Sequence, residues 1–178
     1  MTRWTTYVLT CLTAVVATHS NQGVTGVSVS QPPSEMVHID GSKNPEMIPQ
    51  WAAWELALDA LNGSSDVPTV LYDAHVSKEE KELIKREARA DAHRDGLCKA
   101  RMAKLAATLG RSSAAEINRS TQEIQLECRQ QTLDIRDRLL ASIRPEVQLA
   151  LTQWVESLKA GIQITISRRE LAHFRKPQ

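Results

Sequence analysis

The run from Cys98 to Cys128, CKARMAKLAATLGRSSAAEINRSTQEIQLEC, decides the fold. Its two cysteines mirror each other about residue 113, beside Gly110-Arg111-Ser112-Ser113, the turn signal between them. Before the turn, Cys98, Met102, Leu105 and Leu109 recur at 4-3-4 spacing; after it, Ile117, Thr121, Ile124 and Cys128 do the same. That spacing keeps each set on one helix face. Folding the chain at the turn pairs Leu109 with Ile117, Leu105 with Thr121, Met102 with Ile124 and Cys98 with Cys128. The result is an antiparallel coiled-coil seam of two long helices. A disulfide there would close a loop of 29 intervening residues and stabilise by about 3–4 kcal/mol in the chain-entropy model.

Working outward, both helices announce their starts. Ser77-Lys78-Glu79-Glu80 and Ser113-Ala114-Ala115-Glu116 have the spacing of capping boxes, in which the Ser oxygen and the Glu carboxylate satisfy reciprocal backbone N–H groups. These predict helices over 78–109 and 113–142. Beyond the cysteines the seam turns polar, with Asp95 opposite Gln131 and Asp91 opposite Ile135, and Arg138 within reach of Asp91 or Glu87. Two apposed helices would not place such carboxylates on a shared seam without donors, a splay or water. A shorter helix is expected over 50–62, where Trp51, Trp54, Leu58 and Leu61 share a face between Pro49 and Gly63. Another opens at Pro145 and closes at Gly161, with Val147, Leu151, Trp154, Val155 and Leu158 as its stripe.

After Gly161, Ile162, Ile164 and Ile166 alternate with Gln163 and Thr165, which is a strand pattern. It has no evident partner apart from Val67 to Leu71 or the valines upstream. An unpartnered strand invites strand addition. Trp51, Trp54, Ile162, Ile164 and Ile166 are therefore the candidate partner-binding residues, with core packing as the plainer role of the tryptophans. Arg168, Arg169, Arg175 and Lys176 against Glu170 give the end of the chain a net charge of +3.

Residues 1–20 carry Arg3 near the amino terminus and a mostly apolar stretch from Tyr7 to Ala17, and small residues follow. This fits a signal peptide and is too short to cross a bilayer, which takes roughly 20 residues. Residues 21–48 hold Gly23, Gly26, Pro32, Pro33, Gly41 and Pro45 among Ser, Thr and Asn. Such composition reads as a flexible, disordered linker. The expected organisation is a signal peptide at 1–20, a linker at 21–48, a helical domain at 49–161, and a strand with a basic tail at 162–178. The fold class is all-α: an antiparallel long-helix hairpin, two shorter helices and one short C-terminal strand. Export to the periplasm or the extracellular space suits a stapled hairpin, because disulfides persist there.

Chemistry-bearing groupings are few. Asp91 and Asp95 lie one turn apart and are the candidate metal ligands, while His93 points to another side of the helix. No HExxH, GxxxxGK[ST], GxGxxG, GxSxG or CxxC motif occurs, so neither a cofactor nor a recognised catalytic centre is expected. Charge is balanced, 22 Lys+Arg against 21 Asp+Glu; losing residues 1–20 removes Arg3 alone and leaves 21 of each. A near-neutral chain gives no electrostatic case for nucleic acid, and no integral membrane segment remains once the signal is gone. The readings left are a protein partner or an unfolded client, with a homodimer allowed, and as the alternative a metal-binding or metal-responsive envelope protein.

Two of the helix starts carry a family resemblance. Val76-Ser77-Lys78-Glu79-Glu80 and Ile143-Arg144-Pro145-Glu146-Val147-Gln148 each place an aliphatic residue, a turn and an acidic or amide residue before a helix. They resemble degenerate forms of the LTxxQ motif of the Spy- and CpxP-like group of small periplasmic helical proteins. The first ends in Glu instead of Gln and the second carries one extra residue. The resemblance spans residues 75–160 and implies long antiparallel helical hairpins acting as ATP-independent chaperones or as envelope-stress and metal-response modulators. It carries over no functional residue, and neither the cysteine pair nor the Ile-rich strand belongs to the pattern.

Overall fold

The computed structural model describes residues 36–108 and 113–174. The expected signal peptide, Cys11 and the linker up to residue 35 lie outside these, as do Leu109 and the turn at 110–112. In chain order the elements are β1 (Met36–Asp40), α1 (Gln50–Gly63), α2 (Val70–Asp73), α3 (Lys78–Ala106), α4 (Ala114–Ala141), α5 (Pro145–Leu158), β2 (Gln163–Ser167) and α6 (Arg168–Phe174). Short 3₁₀ turns, Pro45–Met47 and Lys159–Gly161, precede α1 and β2. The expected all-α class with a long antiparallel hairpin is what the chain adopts.

Both long helices start where the Ser residues cap them. The Ser77 hydroxyl accepts the Glu80 N–H at 3.1 Å while the Glu80 carboxylate accepts the Ser77 N–H at 2.9 Å, and Ser113 with Glu116 repeats the arrangement. Cys98 and Cys128 face each other at disulfide distance, with Cα atoms 6.2 Å apart. The pair marks a boundary in packing. N-terminal of Cys98 on α3 and C-terminal of Cys128 on α4, the helices bury Ile84, Ala88, Leu133, Ile135 and Leu139 in the core. Beyond it, Met102, Leu105, Ile117, Thr121 and Ile124 are only half-buried. The seam is thus apolar along its cysteine-distal part, but two helices alone cover one side of it.

α1 is the central core helix and packs on α3, α4 and α5. Trp51, Trp54, Leu58 and Leu61 are all 2% exposed or less. The segment Val67 to Leu71, a possible strand partner by sequence, instead forms the single helical turn α2, with Leu71 buried.

Three expectations need correction. The chain from residue 36 to 48 is not linker: β1 pairs antiparallel with β2, placing Val37 opposite Ile166 and Ile39 opposite Ile164. β2 is therefore not partnerless. Its partner escaped notice because only two apolar residues alternate in Met36-Val37-His38-Ile39-Asp40. Gly41 extends the ribbon by donating its N–H to the Ile162 carbonyl at 2.8 Å, and it must be glycine, since a Cβ would collide with the Lys159 carbonyl oxygen. Third, residues 168–174 are not a solvated tail but helix α6. Glu170 and Leu171 are buried, and Glu170 pairs with buried Arg129 of α4.

The two helix starts that carry the family resemblance meet in space. The Glu80 carboxylate accepts the Arg144 backbone N–H at 3.0 Å, its Nε–H at 3.1 Å and an Nη2–H at 2.9 Å. Arg144 also donates to the carbonyl of His75, a residue held in the left-handed region at φ 48°. Gln148 donates to the carbonyls of Leu140 and Ile143, which end α4. With a guanidinium and backbone donors on it, the Glu80 carboxyl is pulled down to about 2, the Arg144 hydrogen bonds being the largest cause.

Two expected outcomes follow. Replacing Cys98 and Cys128 together by Ser costs about 3–4 kcal/mol of unfolding free energy, read by urea titration, because a long loop is released in the unfolded chain. Glu80→Gln costs about 1–2 kcal/mol at neutral pH. A carboxyl depressed on folding contributes stability above its unfolded value and loses it as pH falls through the folded one. The gap between Glu80→Gln and wild type should therefore close as pH drops from about 4.5 to about 2, and a gap constant with pH would contradict the clamp.

Candidate functional site: a cleft between two helices and a strand edge

α1 and α3 each present a stripe of side chains at i, i+4, i+8: Trp51, Glu55 and Asp59 on one, Asp91, Asp95 and Lys99 on the other. The two stripes wall a cleft of about 390 Å³, which the stretch Gly161 to Ile164 and Leu56 close from the apolar side. Ligand sites are typically of this size and larger. The cleft gathers five of the residues singled out by sequence: Trp51, Asp91, Asp95, Ile162 and Ile164. Trp54 and Ile166 lie apart from it, 1% exposed in the core. Sequence reasoning missed Glu55 and Asp59. Their spacing from Trp51 was available as a signal, but nothing in the chain says that this stripe faces Asp91 and Asp95.

Behind the acidic wall sits Arg94, itself buried. Its Nη2 lies 3.0 Å from Asp91 and 3.9 Å from Glu55, and Nη1 donates to the Cys128 carbonyl. Thr132 of α4 donates its hydroxyl to the same Asp91 oxygen. This answers how a seam can hold Asp91: the donors come from one turn further along α3 and from α4, with α1 as cover. Arg138 meets Glu87, at 3.7 Å, one of the two acids it could reach by sequence. On the far side of Trp51, the guanidinium of Arg129 stacks over the indole at 4.1 Å and Phe174 packs with ring centroids 6.2 Å apart. The indole N–H of Trp51 is buried without an acceptor.

The electrostatics follow from this layout. Burial raises the Glu55 carboxyl, against the attraction of Arg94 and, more weakly, Arg129, while Asp91 and Asp95 push it the same way as burial. Burial raises Asp91 too, opposed by Arg94 and Thr132. Lys99 is 78% exposed at the mouth and holds Asp95 at 2.6 Å. Asp95 raises the Lys99 ammonium most, and Glu55 and Asp59 add to it. The cleft thus places four carboxylates against one lining cation. It is not built as a metal centre: one Asp91 oxygen is committed to Arg94 and Thr132, and His93 lies on a different surface, with Ala90, Leu97 and Arg138. Among the described residues no three His, Cys, Asp or Glu side chains converge to hold an ion. Nor is any helix of the described residues long and apolar enough to cross a membrane.

No family model, curated protein or solved structure matches this chain.

A carboxyl raised on folding costs stability once it ionises, so Glu55 works against the fold at neutral pH and ceases to do so when protonated. Glu55→Gln should melt about 2–4 °C higher than wild type at pH 7. The advantage should vanish below the ordinary carboxylate range, where Glu55 is neutral in both folded and unfolded chains. A variant that melts lower than wild type at pH 7 would show that the pairing with Arg94 outweighs burial.

Proposed function

We propose that this protein is an exported, non-enzymatic binding factor of the periplasmic or extracellular space. Its ligand is a segment of a partner protein or of an unfolded chain, and the cleft is where that segment binds. The observation that carries this reading is the composition of the cleft: Trp51, Leu56, Ile162 and Ile164 form an apolar lining beside Glu55, Asp59 and Asp95, in one concavity of about 390 Å³. Apolar contact area with a few placed charges is how proteins recognise peptides, the area giving affinity and the charges register. The cysteine pair at disulfide distance supports export, because such a bond persists in oxidising compartments and is uncommon in the cytosol. The resemblance of the helix starts to the Spy- and CpxP-like group supports a chaperone-like role. The half-covered seam of α3 and α4 beyond the cysteines offers additional apolar surface of the kind that transient partners use.

The test has two readouts. Intact mass of the protein from its native host, with thiols alkylated before and after reduction, should give a chain trimmed near residue 20 whose Cys98 and Cys128 react only once reduced. Light scattering of an aggregating client should show that the wild-type protein slows aggregation at stoichiometric ratio and that Leu56→Asp, at the half-buried lining of the cleft, weakens the effect severalfold. An untrimmed chain with free thiols would end the export reading, and an unaffected client would end the binding reading.

A further inference from the structure

The ribbon supplies a feature that the cleft composition alone does not. In an antiparallel pair, residues alternate between those that exchange backbone bonds with the partner strand and those whose N–H and C=O point to the other edge. The bond from the Gly41 N–H to the Ile162 carbonyl sets the phase. With Ile39 opposite Ile164 and Val37 opposite Ile166, the bonded positions of β2 are the isoleucines. Gln163 and Thr165 then direct their backbone groups away from β1. Among the described residues, no backbone bond reaches these two on that side, and the sheet contains only β1 and β2.

The cleft lies along this free edge. Consecutive strand residues face opposite sides of a sheet, yet Ile162, Gln163 and Ile164 line the cleft in succession, and no residue of β1 does. A cavity touching three consecutive residues while missing the partner strand borders the unpaired edge. An unpaired edge beside an apolar lining is suited to an extended peptide, since main-chain bonds supply affinity and alternate side chains supply specificity. The opposite walls define that specificity. Glu55 and Asp59 on α1 and Asp95 on α3 present negative charge, and the chain's own Lys99 already places an ammonium among them.

We propose that the cleft docks an extended segment of a partner polypeptide that carries lysine or arginine next to aliphatic residues. The segment adds as a third strand to the Gln163–Thr165 edge and seats its cation among Glu55, Asp59 and Asp95. Aliphatic side chains of the segment pack on Leu56, Ile162 and Ile164. Lys99 is the resident cation that the segment displaces from Asp95. A small organic cation would satisfy the carboxylates but leave the strand edge and the aliphatic lining unused, so the polypeptide is the favoured occupant. This proposal rests on the cleft as the binding site and adds the chemistry of the ligand.

The experiment titrates the full, oxidised chain with a short peptide alternating lysine and leucine. Parallel titrations use the same peptide with glutamate for lysine, an N-methylated version of it, and spermidine. The lysine peptide should bind and weaken with added salt; the glutamate and N-methylated peptides should bind at least about tenfold more weakly. The Glu55→Gln, Asp59→Asn double variant should lose about tenfold in affinity, and Lys99→Gln should gain about threefold. Amide hydrogen exchange at Gln163 and Thr165 should slow on binding, which a purely electrostatic contact elsewhere would not produce. Spermidine binding as tightly as the peptide, equal binding of the glutamate or N-methylated peptide, or an unchanged double variant would each overturn the proposal. If the double variant still slows client aggregation as well as wild type, the general binding function stands and this assignment of the cleft falls. If the lysine peptide binds as described while no client is protected, the reverse holds.

Discussion

The structure depends on one guanidinium. Arg94 sits a turn before Cys98 on α3, reaches Asp91 on its own helix, Glu55 on α1 and the Cys128 carbonyl on α4. It is the only cation among three helices that would otherwise bring acidic and backbone oxygen atoms together in a poorly hydrated space. Removing one member of such a buried set leaves an uncompensated charge, at a cost of about 3–5 kcal/mol. The same residue explains the cleft. Because Arg94 approaches from behind, it makes the burial of Asp91 tolerable without neutralising the open side. The carboxylates of Glu55, Asp59 and Asp95 therefore remain available to whatever enters from the mouth.

Arg129 plays the matching part on the other side of α1. Its guanidinium lies flat on Trp51 and pairs with Glu170, so a single side chain fastens α6 to α4 and braces the aromatic wall of the cleft. Arg144 does the same at the far end, tying the start of α3 to the α4–α5 connection through Glu80. The recurring device is an arginine that joins elements distant in sequence. Its planar, multi-donor head can serve a carboxylate and a carbonyl or ring at once, which a lysine cannot do.

What was legible in the sequence were the features governed by local rules. Ser77 with Glu80 and Ser113 with Glu116 are short-range hydrogen-bond patterns, and they place both long helices to within a few residues. The mirror relation of Cys98 and Cys128 depends only on helical pitch and a turn. The illegible parts depend on partners far away in the chain. Met36-Val37-His38-Ile39-Asp40 is too short and too polar to declare itself a strand, and its pairing residues are more than 120 positions downstream, as the His38 to Thr165 hydrogen bond illustrates. Arg168 to Phe174 reads as a basic tail until Glu170 is seen against Arg129. For the cleft, periodicity identified Asp91 with Asp95 and Trp51 as faces of their helices. It could not say that those faces oppose each other, and so Glu55 and Asp59 went unnoticed.

The free edge of β2 raises the question of why it does not cause self-association. Exposed edges with apolar neighbours are aggregation templates, and proteins commonly protect them with charge. Here the charge is unusual in being of one sign and in coming from helices, not from the strand. Glu55, Asp59 and Asp95 repel an acidic or neutral segment that must desolvate them, and Lys99 occupies Asp95 in the meantime. A segment bearing its own cation replaces that internal pair with an equivalent one and gains the edge bonds and the aliphatic contacts in addition. The same acidic wall that guards the edge against indiscriminate pairing thereby selects what may add to it. Protection and specificity are two consequences of one arrangement of charge, and both trace back to the decision, fixed by Arg94, to leave those carboxylates unneutralised on their open side.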